Sequence, residues 1–344
     1  LQQVLFDKLK LPKTKRIKTG YSTDAESLEW LYKTTKHEVL GNILRIREFA
    51  KLRTTVDGLI ESVSEDSRIH TTFQQTVTAT GRLSSTNPNL QNIPVRSEEG
   101  RRIRDAFVAV TPYSELMTAD YSQIEMRIMA HLSDDEGLLK AFAEGEDLHS
   151  TVASQVFGIP INQVDESMRR QIKAMSYGLA YGLSSFGLAQ QLDISPNEAS
   201  ALMDRYFQRF GGIQKYLKAV VNQARINGYT ETILGRRRYL PDLNHDNRQR
   251  REIAERMALN APIQGSAADI IKVAMKKVSE SIIKSNLKSR LLLQIHDELI
   301  FEVAPLERER LVDLVRFEMG SAYPLKAPLD VNIGFGRSWH QAAH

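Results

Sequence analysis

Cysteine is absent from the 344 residues. That excludes disulfides, thiolate zinc sites and cysteine nucleophiles, and it fits a reducing cytoplasm. No window approaches the run of about 18 apolar residues that a transmembrane helix needs. The start, Leu1-Gln2-Gln3-Val4, lacks both a Met and the basic-then-apolar layout of a signal peptide, so the expectation is a fragment of a longer protein. Charge of one sign is also scarce: 46 Lys and Arg against 42 Asp and Glu leave a formal +4. Its distribution says more than its total. Arg96, Arg101, Arg102 and Arg104 form one cluster, and Arg236, Arg237, Arg238, Arg248, Arg250 and Arg251 another. Such clusters suit a polyanion such as nucleic acid, although a solvated face has the same composition.

What is present is an ordinary soluble composition, 42% apolar and 26% charged. The length predicts two or three subdomains. Residues 1 to 65 alternate short helices: Val4, Leu5 and Leu9 make an apolar face, Lys13–Thr19 a basic loop, and Ser22-Thr23-Asp24 a capped helix start ahead of Leu28, Leu31 and Tyr32. Leu40, Ile43, Leu44 and Ile46 continue the helical spacing. From Ile69 to Val77 apolar and polar residues alternate with period two, which predicts a strand. The stretch from Thr78 to Pro94 is then crowded with small hydroxyls, amides, Gly and Pro. It can be a plain loop or a donor surface for phosphates and base edges.

The run Leu116-Met117-Thr118-Ala119 delivers one carboxylate, Asp120, after which Ile124, Ile128, Met129 and Leu132 fall at helical spacing. A strand ending on Asp120 and handing over to a helix places an acid where a rigid scaffold can present it. Asp120 or Ser122 can equally serve as an N-cap. Further on, Arg169, Lys173, Tyr177 and Tyr181 are spaced by four. Each step advances about 40° on a helix, so two cations and a phenol share one stripe with Tyr181 at its edge. The stripe suits a triphosphate at one end and a sugar or base at the other. Near the end of the chain, Arg290–Ile295 and Leu299–Val303 predict a hairpin around His296-Asp297-Glu298. Adjacent carboxylates repel unless neutralised; a divalent cation does that, and a merely acidic turn is the alternative. Hard oxygen ligands with no cysteine and few histidines favour Mg²⁺. Two such ions about 4 Å apart clamp an in-line phosphoryl transfer, with a cationic helix holding the remaining phosphate charge.

Asp120-Tyr121-Ser122-Gln123-Ile124-Glu125, the Arg169/Lys173/Tyr177/Tyr181-Gly182 helix and His296-Asp297-Glu298 resemble, in order and spacing, the three polymerase motifs of family A (DNA polymerase I type) enzymes. Thr80–Ser85, Asn89–Pro94, Gly235–Tyr239 and Asn260–Gly265 match as well, so the resemblance covers essentially the whole chain. It looks like a bacterial member, with an actinobacterial source as the finer expectation. The resemblance implies an α+β right hand: a partial helical thumb (1–65), a palm built from 66–130 and 246–344 with an antiparallel sheet, and helical fingers (131–245). It implies addition of dNTPs to a primer 3′-hydroxyl on primer–template DNA by two Mg²⁺ ions, with Mn²⁺ able to substitute. A monomer in the bacterial cytoplasm, associated with the nucleoid and not with a membrane, is the expected state. No exonuclease domain has room in this chain.

Carried over by resemblance, Asp120 and Asp297 hold the metals with the Tyr121 carbonyl, and Glu298 assists. Arg169 and Lys173 bind the triphosphate, with His149 and Gln123 nearby. Tyr177 lies against the sugar and base. Glu125 fills the space beside C2′ and rejects a 2′-hydroxyl. Tyr181 stacks at the template position, and Arg82, Asn260, Gln264 and His296 read the minor-groove side of the primer terminus and new pair; Asn92 joins the DNA contacts. Minor-groove acceptors vary little with sequence, so such contacts test pair shape. Tyr177 stands where many relatives carry Phe, and in this family the tyrosine goes with acceptance of dideoxynucleotides. Three rivals remain: a single-subunit RNA polymerase, against which Glu125 argues; a two-metal nuclease, which has no use for the Arg169-Lys173-Tyr177 stripe; and a non-catalytic DNA-binding module.

Overall fold

Leu1–Thr72 with Thr86–Ile103 make one unit, and Phe73–Ser85 with Arg104–His344 a second, in a computed structural model that describes residues 1–94, 97–145 and 147–343. Arg96 of the first basic cluster lies outside the described residues.

In the first unit a turn of π-helix, Gln3–Lys8, is followed by a small antiparallel hairpin, β1 (Arg16–Ile17) and β2 (Gly20–Tyr21), and two helices, α1 (Ala25–Thr35) and α2 (Glu38–Glu61). Asp24 caps α1 by accepting from the Ser27 N–H at 2.8 Å, as the sequence predicts. The expected Val4/Leu5/Leu9 face is different. Leu9 N–H donates to the Val4 carbonyl, an i→i+5 bond, and this wider winding turns Val4 and Leu9 outward while Leu5 and Phe6 enter the core. There they meet Leu11, Leu28, Leu31 and Leu40; Ile46 is exposed.

The predicted strand over 69–77 shrinks to β3 (Thr72–Gln74), which forms a two-stranded ribbon with β4 (Ser84–Thr86). Beyond Gln74 the Thr78 side chain bonds the Arg82 carbonyl at 2.5 Å and the Gly81 N–H bonds the Thr78 carbonyl at 3.1 Å. These local bonds offer the backbone an alternative to a ladder. Helix α3 (Glu98–Asp105) follows.

The second unit is built on a four-stranded antiparallel sheet. Its strands are β5 (Glu115–Tyr121), β8 (Arg290–Ile295), β9 (Glu298–Val303) and β10 (Val331–Gly336), in the order β10-β5-β9-β8. Leu116 to Ala119 are all buried, as are Leu299 to Val303. A strand covered on both faces has no reason to alternate, which is why the two central strands read as unbroken apolar runs. Between β5 and β8 the chain is mostly helical: α4 (Ile124–Ser133), α5 (Glu136–Ala143), α6 (Leu148–Phe157), α7 (Glu166–Ala180), α8 (Ser185–Leu192), α9 (Pro196–Arg209) and α10 (Gly211–Asn227). A hairpin of β6 (Tyr229–Glu231) and β7 (Arg237–Tyr239) then leads to the 37-residue α11 (Arg248–Lys284). Helices α12 (Arg308–Gly320) and α13 (Trp339–Ala342) complete the unit. Ile263, Ala267, Ile270, Ile271, Ala274 and Val278 of α11 join Met117, Ala119, Phe301 and Val303 of the sheet in one core. At about 1.5–3 kcal/mol per large apolar side chain, that core holds the acid-bearing strand ends on a rigid support.

Candidate active site

Register brings the acids together. Asp120 is directly opposite Glu298 on one side and Asn332 on the other, and Asn332 Nδ2 donates to Asp120 Oδ2 at 3.4 Å. The strands β8 and β9 are joined by His296 and Asp297 alone, with Ile295 and Glu298 paired across the turn and His296 at φ +57°. The Tyr121 N–H donates to the Asp297 carbonyl at 3.4 Å, which ties the hairpin tip to the end of β5. The strand runs one residue past Asp120. The cap position of α4 is then held by Gln123, at φ +53° and with no side-chain cap, not by Asp120 or Ser122. Two non-glycine residues with left-handed backbone thus flank the acids, a conformation that costs free energy and collects at functional sites.

Three carboxylates meet at one sheet end. Burial, with Asp120 and Asp297 adding, pushes the Glu298 carboxyl up to about 7, against the opposing pull of Arg104. Burial and the Asp120 charge likewise raise Asp297. Among the described residues no three His, Asp or Glu side chains come together as a closed metal cage. Two aspartates and a nearby strand-end carbonyl fit Mg²⁺, which keeps water and substrate oxygens as its other ligands. The Tyr121 side chain is committed elsewhere: its hydroxyl donates to the Met319 carbonyl at 2.8 Å in the core.

The stripe on α7 holds as predicted, since Arg169, Lys173 and Tyr177 lie on the helix and Tyr181 is its C-cap. Lys173 is exposed and has no ion pair among the described residues. Arg169 Nε is engaged by Asp147 at 2.8 Å. Asp147, missed in the sequence, caps α6 through the His149 N–H at 3.2 Å, so one carboxylate fixes both the cation and the histidine. His149 is buried; burial first, then Lys173, drives its imidazole down to about 4, so it is neutral near pH 7. Its ring lies 6.0 Å from that of Tyr177.

Glu125 links α7 to α4. It is buried, with Oε1 accepting from Arg82 Nη2 at 2.9 Å and Oε2 from the Tyr181 hydroxyl at 2.7 Å. Burial, then the Glu125 charge, raise the Tyr181 phenol. The same two causes, joined by Asp297, bring Tyr177 up to about 12. His296 is exposed on the turn, and Asn260 and Gln264 are half-buried one turn apart on α11. Asn92 belongs to the other unit, at the end of a 3₁₀ turn, Leu90–Asn92. The second basic cluster is largely neutralised: Arg236 pairs with Asp269, Arg237 with Glu231 and Arg248 with Glu252. Sequence reading placed Arg104 only in a basic cluster and missed Trp339. Arg104 is buried with its guanidinium 4.0 Å from the Trp339 ring centroid, and its charge acts on Glu298.

An antiparallel sheet with an aspartate at the end of one central strand and another at the adjoining hairpin tip, opposite a cationic helix, is the α+β right-hand polymerase fold. A superposable structure is described as the POL domain of Pol1 from M. smegmatis in complex with DNA primer-template and dNTP. The match has a TM-score of 0.96 and 64% identity, covering 100% of this chain and 61% of that one. The family model for DNA polymerase family A matches residues 1–341, and the chain belongs to that family. It is 65% identical over 344 residues to DNA polymerase I of Mycobacterium bovis and 63% identical over 347 residues to that of Mycobacterium leprae. In each case it spans 38% of the relative's length. No helix among the described residues is long and apolar enough to cross a membrane.

Proposed function

We propose that the chain carries out template-directed DNA synthesis, adding dNTPs to a primer 3′-hydroxyl. The observation that supports this most is the register of Asp120 against Glu298 with Asp297 at the adjoining tip, combined with an α7 whose Tyr177 lies close enough to Asp297 to feel its charge. The Mycobacterium smegmatis relative was described with primer-template and dNTP, which fits. In this reading Asp120, Asp297 and the Tyr121 carbonyl hold two Mg²⁺ ions. When bound, those ions supply the electrostatic clamp on the attacking and leaving oxygens. Lys173 and Arg169 hold the triphosphate, Arg169 exchanging Asp147 for phosphate. Neutral His149 donates a hydrogen bond to it, with Gln123 beside it. Tyr177 supports the sugar and base, and Glu125, held at both oxygens, occupies the 2′ side. Tyr181 covers the template position until a pair forms. Arg82, Asn260, Gln264 and His296 test the new pair and primer end, with Asn92 on the DNA.

The same reading assigns 1–65 to a partial thumb, 66–130 and 246–344 to the palm and 131–245 to the fingers, in a monomer working at the nucleoid. Primer extension with Mg²⁺, beside an Asp120→Ala control, tests it. Extension by dNTPs that the substitution abolishes is expected. Equal use of NTPs would indicate an RNA polymerase instead, and strand degradation without added dNTPs a nuclease.

A further inference from the structure

The loop that carries Arg82 rests on a support with no room for adjustment. Gly81 has φ +80°, and a Cβ there would collide with the Arg236 guanidinium. Below the loop, a Cβ on Gly265 of α11 would come within 2.6 Å of Thr232 Cγ2 and 3.2 Å of the Thr80 carbonyl. Two close approaches, one from the β6–β7 turn and one from α11, therefore define where Thr80-Gly81-Arg82 sits. Arg236 is in turn held by Asp269, which is 4% exposed. Asp269 Oδ1 accepts from Arg236 Nε at 2.9 Å and also from Nη2, and Oδ2 accepts from the Thr232 hydroxyl at 2.6 Å. Thr232 closes the circuit, its Oγ1 accepting from the Arg236 N–H at 3.1 Å and its N–H donating to the Arg236 carbonyl at 3.0 Å. Two guanidinium N–H groups converging on one carboxylate oxygen, with the other oxygen held by Thr232, restrict direction as well as distance.

We propose that Asp269 and Arg236 are positioning residues for sugar selection. They lock the Gly81 loop so that Arg82 reaches Glu125, and thereby hold Glu125 against the 2′ side of the incoming nucleotide. This rests on the reading of Glu125 given above. The chain of contact is short: Asp269 to Arg236, Arg236 under Gly81, Arg82 to Glu125 Oε1, with Tyr181 on Oε2. With the support loosened, Glu125 keeps only the Tyr181 bond, and its carboxylate gains the freedom to yield to a ribose hydroxyl. Asp269 and Arg236 touch no part of Glu125 themselves, so their effect passes through Arg82.

The test is single-turnover incorporation of a dNTP and the matching NTP by wild type, Asp269→Asn, Arg236→Lys, Glu125→Ala and Glu125→Ala/Asp269→Asn, with unfolding midpoints alongside. Asp269→Asn and Arg236→Lys are expected to lower the dNTP-to-NTP ratio of kcat/KM by about 10-fold. Glu125→Ala lowers it further, and adding Asp269→Asn to Glu125→Ala changes it no more. A merely structural role would slow both nucleotides alike and leave the ratio intact, which overturns the proposal; so does an equal additional drop in the Glu125→Ala background. Should Asp269→Asn not fold, Arg236→Lys carries the same test. If Glu125→Ala itself leaves the ratio unchanged, the sugar-gate reading fails. The support is then judged by the coupling of Arg236→Lys with Arg82→Met in unfolding stability, where zero coupling overturns it.

Discussion

The Arg104 guanidinium stacks on Trp339, 4.0 Å from its centroid, and extends its positive charge to Glu298. The indole is fully buried, anchored also by an edge contact from Phe107 at 5.7 Å. A charge out of water is held there by one ring and one carboxylate. Replacement of Arg104 by Met, which keeps the stem, is expected to cost about 2 kcal/mol of stability. Activity should fall by more than the folded fraction does, because the strand-end acids lose their buried cation. Denaturant titration against specific activity at matched folded fraction checks this.

Asp120→Ala and Asp297→Ala are each expected to lower primer extension by at least about 1,000-fold, by analogy with loss of a preorganised charge contact. Both side chains sit at a strand end or hairpin tip, outside the apolar core, so circular dichroism and the melting midpoint should stay near wild type. A large loss of fold in either variant would contradict the placement.

Tyr177 has a hydroxyl with no hydrogen bond to another described residue, near Glu125 and Asp297. A phenol so placed can supply the bond that a missing 3′-hydroxyl cannot. Tyr177→Phe is expected to raise discrimination against dideoxynucleotides by about 10-fold, the worth of one hydrogen bond. Chain-termination ratios for the two proteins measure it, and equal ratios would rule the role out.

His149 gives a pH signature. Its imidazole is held down at about 4 by burial, then by Lys173, against about 6.5 when unfolded. Between those values the unfolded chain takes up a proton that the folded one refuses. The full contribution to stability is therefore present above pH 6.5 and is lost as pH falls towards 4. At pH 5 the loss is about 2 kcal/mol. His149→Gln should remove it, so the stability difference between wild type and variant shifts by that amount between pH 7.5 and pH 5 in urea unfolding.

Local pattern carried a good deal of this. The end of β5 beside Asp120, the four-residue spacing on α7 and the hairpin around Asp297 all follow from periodicity and turn chemistry, because they are properties of short stretches. Long-range partners left no such mark. Arg82 and Tyr181 meet Glu125 across 43 and 56 residues, and nothing in the intervening chain announces it. Arg169 looked like a phosphate ligand waiting for its anion; an aspartate 22 residues earlier already holds it. The predicted strand over 69–77 shrank to Thr72–Gln74, ahead of a turn closed by local bonds between Thr78 and Gly81 and between Thr78 and Arg82. The reading of Asp120 or Ser122 as a cap failed because Gln123 takes up a backbone that few residues of its kind adopt.

The sheet order β10-β5-β9-β8 has a consequence for synthesis on the ribosome. The strand bearing Asp120 is flanked on both edges by strands made long after it, pairing with residues about 180 and 210 positions later. Until those emerge, its apolar run has no ladder and no cover, and closing such long loops is slow. The acids therefore meet only after Glu298 has been made, and a product stopped short of Val331 leaves one edge of the Asp120 strand unpaired. Assembly of the acid cluster is coupled by topology to strands made far downstream, and no stretch that ends before Glu298 can bring these carboxylates together.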